Sequence, residues 1–333
     1  MKAVAVLALL LLSASAIGQS RKLDDLGFTH VKLLYKKDQV DVLIKAKAGD
    51  EAKKKPLFFF CQGSLPIPLI ILDGEQAYPV FPFDTQAICE KYHLVIVGKP
   101  GIPLIRKKEE LQPDFSYFER DSPLPPSQYL SNNTLEYYVG RNLQVLNHLI
   151  QMGMGEKSRL VVSGHSQGAR VALEMALRSK KVTHLVYANG NPCGQIMSMI
   201  STSRQQESGV DTTESTESVF RYYEAVVADR NNPDVTYGDS YRSLFSFSES
   251  AIKSFPRLDI PVLICYGTRD PSLPFNDYLR AEMIRKKKQN FTFQSYPGLE
   301  HNFFGLRDNG EIDFEAFNWD RVAKDWIHWL NNK

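Results

Sequence analysis

The sequence contains one serine in a setting that could make its hydroxyl reactive. Ser166 is the centre of Gly164–Gly168 (GHSQG), between an apolar run, Leu160–Val162, and a helical pattern from Arg170. A G-x-S-x-G segment between a covered strand and a helix is typical of a sharp turn that lifts the serine Oγ clear of the sheet. The N-terminus of that helix would direct N–H groups toward developing negative charge. The pattern therefore predicts a nucleophile for acyl transfer.

The elements around this serine predict an α/β fold. An alternating pattern at Phe28–Lys36 and Val40–Lys47 indicates a hairpin. Short apolar runs at Leu57–Phe60 and Leu94–Val97 predict strands covered on both faces. Further strands are predicted at Leu160–Val162, Val182–Tyr187, Pro261–Tyr266 and Phe291–Tyr296. Between and after them lie predicted helices, at Thr85–Tyr92, Leu135–Ile150, Arg170–Arg178, Asn276–Lys286 and Trp319–Leu330. This alternation favours a mostly parallel central sheet with helices on both faces.

With GHSQG after its central strand, this order of elements resembles the α/β-hydrolase superfamily, from about Phe28 to Leu330. In that family the acid usually follows the strand two after the serine turn, and the histidine follows the last strand. The resemblance implies Asp270 as the acid and His301 as the base. The neighbouring Glu300 is poorly placed to reach the ring of His301, and the loop after Tyr187 offers only asparagines, Asn189 and Asn191.

The other histidines have structural interpretations. The chain has seven histidines, and a serine hydroxyl needs one of them as a base at neutral pH. His165 belongs to the serine turn and is expected to pack or bond locally. Five more fall within predicted strands or helices, or at the start of one: His30, His93, His148, His184 and His328. His301 is therefore the predicted base, and Asp270 would fix its tautomer and stabilise the imidazolium.

Two N–H groups are expected to hold the oxyanion. One is the N–H of Gln167, directly after the nucleophile, and the other comes from the turn after the strand that ends near Cys61. Resemblance to the His-Gly-x loop of the family implies Ser64 as the second donor. Gln62 stands where that loop usually has histidine. Leu65 therefore remains an alternative donor.

Composition and motifs exclude several other classes of function. The 333 residues include 40 basic and 38 acidic side chains, a net charge of +2, without the concentrated basic face that a nucleic-acid partner would require. No cofactor and no metal are expected, because the sequence has neither a phosphate-binding glycine loop nor a metal-ligand pattern. A serine nucleophile argues against the dehalogenase and epoxide-hydrolase branches, which use a carboxylate.

The predicted activity is hydrolysis of an acyl ester, as in a carboxylesterase, with a small-molecule or peptide acyl compound as substrate. A peptidase or amidase could use the same three residues. From a different class, a non-catalytic binding protein could have kept the fold. A fluorophosphonate separates these classes, because only an activated serine reacts with it.

The N-terminus predicts export. Lys2, an apolar run at Ala3–Leu12 and small residues up to Gly18 have the layout of a secretory signal peptide, with cleavage near Ala16 or Gly18. The run is too short to span a bilayer comfortably, and no later stretch is long or apolar enough, so no stable membrane span is expected. We predict a signal peptide over residues 1–18 and a secreted or periplasmic product.

A long segment interrupts the alternation of strands and helices. Residues 191–257 contain no covered strand and are predicted to form a partly helical cap, inserted between core segments 19–190 and 258–333. Its aromatic residues Phe220, Tyr223 and Phe245 are expected to influence substrate preference. The polar tract Ser201–Ser218 is expected not to order itself. No disulfide is expected among Cys61, Cys89, Cys193 and Cys265.

Overall fold

The structure of the protein is a computed structural model that describes residues 23–120, 122–207, 213–233, 235–236 and 238–333. The predicted signal peptide over residues 1–18 lies outside the described residues and stays a prediction. The boundaries of the predicted cap, residues 191 and 257, lie within them.

The strands and helices alternate along most of the chain. The strands are β1 (Phe28–Tyr35), β2 (Asp38–Lys45), β3 (Lys55–Cys61), β4 (Ile70–Asp73), β5 (Gln76–Pro79), β6 (His93–Val97), β7 (Ile105–Lys107), β8 (Gly155–His165), β9 (His184–Ala188), β10 (Val235–Thr236), β11 (Asp239–Ser240), β12 (Val262–Gly267), β13 (Phe291–Tyr296), β14 (Phe304–Leu306) and β15 (Ile312–Phe317). The α-helices are α1 (Gln86–Cys89), α2 (Ser127–Asn132), α3 (Leu135–Gln151), α4 (Gln167–Arg178), α5 (Gln195–Gln206), α6 (Thr213–Ala228), α7 (Tyr241–Phe247), α8 (Leu273–Arg285) and α9 (Trp319–Asn331). Short 3₁₀ turns occupy Lys108–Glu110 and Phe255–Arg257.

The central sheet has eight strands in the order β1-β2-β6-β3-β8-β9-β12-β13. The strands from β6 to β13 in this order run parallel to one another. β2 pairs antiparallel with both β1 and β6. The predicted fold class, a mostly parallel sheet that begins with an antiparallel hairpin, is therefore confirmed. Because parallel strands share a direction, the loops after β3, β8, β9, β12 and β13 meet at one edge.

Each face of the sheet carries its own hydrophobic core. Successive side chains of a strand point to opposite faces, so Leu57 and Phe59 of β3 belong to one core while Phe58 and Phe60 belong to the other. Helices α3, α4 and α8 cover the first face, and α1 and α9 cover the second. Strands buried on both faces are continuously apolar, which is why the short apolar runs could be identified in the sequence.

The described part of the segment between β9 and β12 is mainly helical, with β10 and β11 as two short strands. Its α6 and α7 share a small core built on Tyr222, Val226 and Leu244, which is separate from the two cores of the sheet. Partly buried aromatic side chains, among them Tyr223 and Phe245, pack against it. These aromatic residues therefore stabilise the helical segment itself, which differs from their predicted role at the substrate.

The polar tract Ser201–Ser218 differs from its prediction over the part that is described. Ser201–Gln206 ends α5 and residues from Thr213 begin α6. Thr216 is buried, its hydroxyl donates to the Glu207 carboxylate at 2.6 Å, and its Oγ1 lies 2.9 Å from the hydroxyl oxygen of Ser203. Hydroxyl groups that bond one another across two helices can be buried at little cost. Composition alone did not reveal this pairing.

All four cysteines lie among the described residues and carry free thiols. Cys61, Cys89 and Cys265 are buried, and Cys193 is partly exposed. None of the helices in the described part of the chain is long and apolar enough to cross a membrane. The same residues contain no group of three or more His, Cys, Asp or Glu side chains that could hold a metal ion.

Candidate active site

Ser166 occupies a strained turn between β8 and α4. Its backbone has φ 57° and ψ −125°, a region that residues with a side chain rarely adopt. Its N–H donates to the carbonyl of Ala188 at 3.0 Å, and its carbonyl accepts from the N–H of Ala169 at 3.1 Å. Strain of this kind costs about 1–3 kcal/mol and persists only where the surroundings impose it. The turn projects the hydroxyl beyond the end of the sheet.

Two glycines make this turn sterically possible. A Cβ atom placed on Gly164 would lie 2.1 Å from the carbonyl oxygen of Gly168. A Cβ atom on Gly168 would lie 2.1 Å from the carbonyl oxygen of Cys61 and 2.4 Å from that of Gln62. Because both clashes are with backbone, no side-chain rotation could relieve them. Gly164 therefore allows β8 and α4 to approach each other, and Gly168 allows the serine turn to approach the backbone at the end of β3.

The structure brings Ser166, His301 and Asp270 into one hydrogen-bonded line. His301 Nδ1 lies 2.7 Å from Asp270 Oδ2, and His301 Nε2 lies 2.9 Å from Ser166 Oγ. The ionised carboxylate can only accept, so Nδ1–H donates to it. That bond fixes the tautomer in which Nε2 holds a lone pair facing the serine hydroxyl. The arrangement can move a proton from Ser166 to His301.

Asp270 is buried in the turn after β12, with 2% of its surface exposed. Its Oδ1 accepts a hydrogen bond from the N–H of Ser272 at 2.6 Å. Burial alone would raise the pKa of Asp270. The hydrogen bond and charge of His301 outweigh burial, so the pKa lies below its ordinary value of 3.8. Asp270 is therefore ionised at neutral pH.

The same pair shifts the pKa of His301 in the opposite direction. Desolvation would lower the pKa of His301, but the hydrogen bond and negative charge of Asp270 raise it above its ordinary 6.5. An imidazolium is thus better tolerated here than in water, which suits a group that accepts a proton during a reaction. About a third of the His301 side chain, 34%, remains exposed to the adjoining cavities.

Three side chains hold the loop of His301. Asn189 Nδ2 donates to the carbonyl of His301 at 2.6 Å, and the ring Nε2 of His165 lies 2.8 Å from the same oxygen. Glu300 Oε1 accepts from the backbone N–H groups of Asn302 at 2.7 Å and Phe304 at 3.0 Å. Glu300 is therefore committed to the loop backbone, as expected from its poor placement for reaching the imidazole.

His165 is a packing residue in this arrangement. Its ring lies 4.9 Å from the centre of the Trp319 ring and 5.0 Å from that of His301. Burial, reinforced by the neighbouring His301, lowers the pKa of His165 to about 3. The ring is therefore neutral at physiological pH and adds no charge beside the candidate base.

The two predicted oxyanion donors also lie at Ser166. Gln167 is the first residue of α4, where a backbone N–H has no partner within the helix. Ser64, in the turn after β3, lines the same two cavities as Ser166 and His301. Leu65, the alternative donor, lines one of them.

Two cavities meet at Ser166 and differ in their side chains. The amide-rich cavity, about 330 Å³, lies under α5, and its polar lining includes Arg170, Asn191, Gln195, Ser198 and Thr202. The aliphatic cavity, about 340 Å³, lies on the other side of the serine, and its apolar lining includes Phe60, Leu65, Ile67, Val80, Pro82 and Trp319. An acyl compound whose carbonyl lies at Ser166 would extend a group into each cavity.

The residues of the helical segment that reach the site are not the predicted ones. Phe220 is 39% exposed, and neither Tyr223 nor Phe245 lines a cavity at Ser166. The segment contributes Gln195 and Phe247 instead, with two hydroxyl side chains of α5. The aromatic composition of residues 220–247 did not distinguish side chains that face the cavity from those that face the helical core.

Comparison with known protein families matches residues 139–305 to the model of the alpha/beta hydrolase fold family. Comparison with curated protein sequences found no match. The matched range contains all three residues of the hydrogen-bonded line at Ser166.

Solved structures with the same architecture include two peptidases and the protein Est1E. The acylaminoacyl peptidase of Pyrococcus horikoshii matches with a TM-score of 0.55 and 13% identity, over 91% of this chain and 41% of the peptidase. A puromycin-hydrolyzing peptidase of Mycobacterium tuberculosis matches with a TM-score of 0.50 and 14% identity, over 83% of this chain and 36% of that peptidase. Est1E from Butyrivibrio proteoclasticus matches with a TM-score of 0.50 and 12% identity, over 91% of this chain and 98% of Est1E. This chain thus spans less than half of either peptidase, and identities this low show a shared fold alone.

Proposed function

The chain belongs to the α/β-hydrolase family, and we propose that it is an exported serine hydrolase that cleaves an acyl ester, with Ser166 as its nucleophile. The observation that carries the proposal is the unbroken line from Asp270 through His301 to Ser166, with separations of 2.7 and 2.9 Å. A hydroxyl that is strained into a turn and bonded to an imidazole has the setting of an activated nucleophile.

In the proposed reaction, Ser166 Oγ attacks the acyl carbon as its proton moves to Nε2 of His301. The carbonyl oxygen becomes an oxyanion, which the N–H groups of Gln167 and Ser64 would stabilise. Collapse of this intermediate breaks the bond to the alcohol oxygen, which takes the proton from His301 and leaves an acyl-enzyme. Water then repeats the sequence, releases the acid and restores the hydroxyl. Asp270 stays ionised throughout and stabilises the imidazolium.

A second candidate is a peptidase or amidase that uses the same residues. The observation that favours it is the amide-rich cavity. The residues that line it include Gln167, Asn191 and Gln195, whose side chains carry amide groups. Groups of this kind could bond a peptide backbone. A screen of p-nitrophenyl esters of increasing chain length against aminoacyl arylamides would separate the two activities.

The decisive experiment is Ser166→Ala. We expect kcat to fall on the order of 10⁶-fold, as in other serine triads, while the fold persists. A fluorophosphonate should label the wild-type protein at Ser166 and leave the variant unlabelled. Ser163→Ala is the matched control, because the hydroxyl of Ser163 donates to the carbonyl of Phe59 within the sheet. If Ser166→Ala kept more than about a tenth of the wild-type rate, the nucleophile would be another residue.

Export is proposed from the sequence of residues 1–18 alone. Mass spectrometry of the mature protein, after expression of the full chain, would measure the cleavage point. We expect a new N-terminus after Ala16 or Gly18. A retained Met1 in a protein recovered from the cytoplasm would contradict export without affecting the proposed chemistry.

A further inference from the structure

Lys99 is a buried cation beside the turn that carries Ser64. It follows β6, and 7% of its surface is exposed. Its ammonium donates to the carbonyl of Gly63 at 2.6 Å and to the carbonyl of Ser64 at 3.3 Å. The hydroxyl of Tyr129 donates to the carbonyl of Ser64 at 2.5 Å. Two consecutive carbonyls of this turn are therefore held from the same side.

The buried positive charge of Lys99 has no carboxylate counter-charge in contact with it among the described residues. Among the ion pairs of the described residues, none includes Lys99. A second buried cation, Arg141, shares its pocket. Both cations lie 5.0 Å from the ring centre of Tyr138. Burying an ammonium without a counter-charge is costly unless its hydrogen bonds are made. The carbonyls of the turn are the acceptors that it finds.

We call the hydrogen bonds from Lys99 and Tyr129 to these two carbonyls the clamp. Because the peptide bond is planar, the clamp also orients the N–H groups that follow the two carbonyls. The carbonyl of one residue and the N–H of the next belong to one planar trans unit and point in opposite directions. Holding the Gly63 carbonyl therefore fixes the direction of the Ser64 N–H. Holding the Ser64 carbonyl fixes the Leu65 N–H in the same way. Both possible oxyanion donors of this turn depend on the clamp.

We propose that Lys99, assisted by Tyr129, is a positioning residue that keeps the Gly63–Ser64–Leu65 peptides oriented for oxyanion binding. The proposal rests on the proposed hydrolase function of Ser166. Lys99 touches neither cavity at the serine, so it acts on the reaction only through the turn. Because the oxyanion exists only after attack, the clamp should affect the transition state and leave substrate binding unchanged.

The charge of Lys99 gives the clamp a pH dependence. Burial, followed by the positive charge of Arg141, lowers the pKa of Lys99 to about 7, while Asp239 and the Cys61 thiol oppose the shift. The rings of Tyr129 and Tyr138 also face the ammonium. The ammonium is charged below this pKa and neutral above it. Its bonds to the carbonyls therefore weaken as the pH rises through neutrality, and kcat should decline on the alkaline side.

The test is Lys99→Met, which keeps the unbranched apolar stem and removes the ammonium donors. We expect kcat to fall about 10- to 100-fold with KM within about twofold, because an oriented donor contributes about 10²–10³-fold. The Ki of a boronic acid that forms a tetrahedral adduct on the serine should rise by the same factor. The alkaline decline of kcat should disappear from the pH profile.

The matched control is Lys55→Met at the opposite end of β3. Lys55 donates to the carbonyls of Cys89 at 2.9 Å and Glu90 at 3.0 Å, so it too holds two consecutive carbonyls, far from Ser166. It differs from Lys99 in pairing with the Asp50 carboxylate at 3.0 Å. Its loss should lower the melting temperature and leave kcat per folded molecule unchanged. If Lys99→Met behaved in the same way, with wild-type kcat and boronate affinity, the lysine would be structural and the proposal wrong.

Tyr129→Phe keeps the test available if Lys99→Met does not fold. It removes one hydroxyl, and we expect a fall in kcat of about 3- to 10-fold at unchanged KM, since the Lys99 bonds remain. An unchanged kcat would overturn the proposal for the Ser64 carbonyl. Failure of the proposed function would look different, because Ser166→Ala would then retain its turnover and wild-type protein would not react with the fluorophosphonate.

Discussion

The side chain of Asn189 ties the end of β9 to the backbone of His301. Its Nδ2 donates to the His301 carbonyl at 2.6 Å, and its Oδ1 accepts from the N–H of Gly267 at 2.9 Å. Asn189 is 1% exposed and has φ 45°, a conformation that asparagine tolerates better than most residues. One amide thus joins the ends of two strands to the loop of the candidate base.

Asn189→Ala should leave the imidazole of His301 in place but hold its loop less firmly. We expect kcat to fall about 10-fold or more and the free energy of unfolding to fall about 1–3 kcal/mol. The reason is that the buried N–H of Gly267 loses its partner and the His301 carbonyl keeps only the bond to His165. Steady-state kinetics and urea denaturation measure the two effects. Asn189→Asp can still accept from Gly267 but cannot donate to His301. If Asn189→Asp matched wild type in kcat, the bond to the His301 carbonyl would have no role in positioning.

Asp270→Asn should change both the rate and its pH dependence. Loss of the carboxylate allows the wrong tautomer, so we expect kcat to fall by about 10⁴-fold or less. The wild-type kcat/KM should rise with pH as His301 loses its proton, with an apparent pKa above 6.5. Asp270 raises this pKa, so its neutralisation should move the rise to lower pH. A pH–rate profile measures the shift.

Glu300→Gln is the matched comparison, since it neutralises the carboxylate next to His301 in sequence. Its side chain accepts from loop N–H groups, so we expect a smaller effect on both the rate and the pH profile. A silent Asp270→Asn together with a severe Glu300→Gln would mean that the acid had been wrongly assigned.

The two cavities predict separable changes in specificity. Val80→Ala enlarges the aliphatic cavity, and we expect the ratio of kcat/KM for long over short apolar groups to rise about 10-fold. Gln195→Leu should instead raise kcat/KM for substrates that place an apolar group in the amide-rich cavity. Phe245→Leu, in the helical core, should lower the melting temperature and leave both ratios unchanged. Specificity that followed Phe245 and ignored Val80 would contradict this assignment of the cavities.

Local pattern was sufficient for elements whose burial is uniform. The apolar run Leu94–Val97 gives all of β6 except its first residue, and every residue of that strand is buried. β8 is longer than its apolar run Leu160–Val162, because it starts at Gly155, pairs with β3 through an irregular register and includes polar residues. A strand that emerges from the covered part of a sheet loses its apolar signature while it keeps its hydrogen bonds. Its true start therefore could not be found from hydrophobicity.

Some residues of the site could be predicted from their neighbours in the sequence, and others depend on contacts with distant residues. The setting of Ser166 depends on its immediate neighbours, which is why a five-residue motif predicted the strained turn. Lys99 and Asn189 were visible only as loop residues, since their partners lie far along the chain. Lys99 is buried by side chains of α2 and α3. Such contacts leave no periodic trace in the sequence, so tertiary structure was required to find them.

The four free thiols differ in exposure, so one of them can be labelled selectively. Burial raises the pKa of Cys61 to about 12, that of Cys89 to about 11 and that of Cys265 to about 12, so these thiolates are scarce at ordinary pH. Cys193 is partly exposed, in the connection between β9 and α5, and its N–H donates to the side chain of Asn191 at 2.8 Å. Burial raises the pKa of Cys193 as well, but its thiol is the most accessible of the four, so a maleimide dye would attach preferentially to it in the wild-type chain. Its emission would report on the amide-rich cavity that Asn191 lines, without any engineered cysteine.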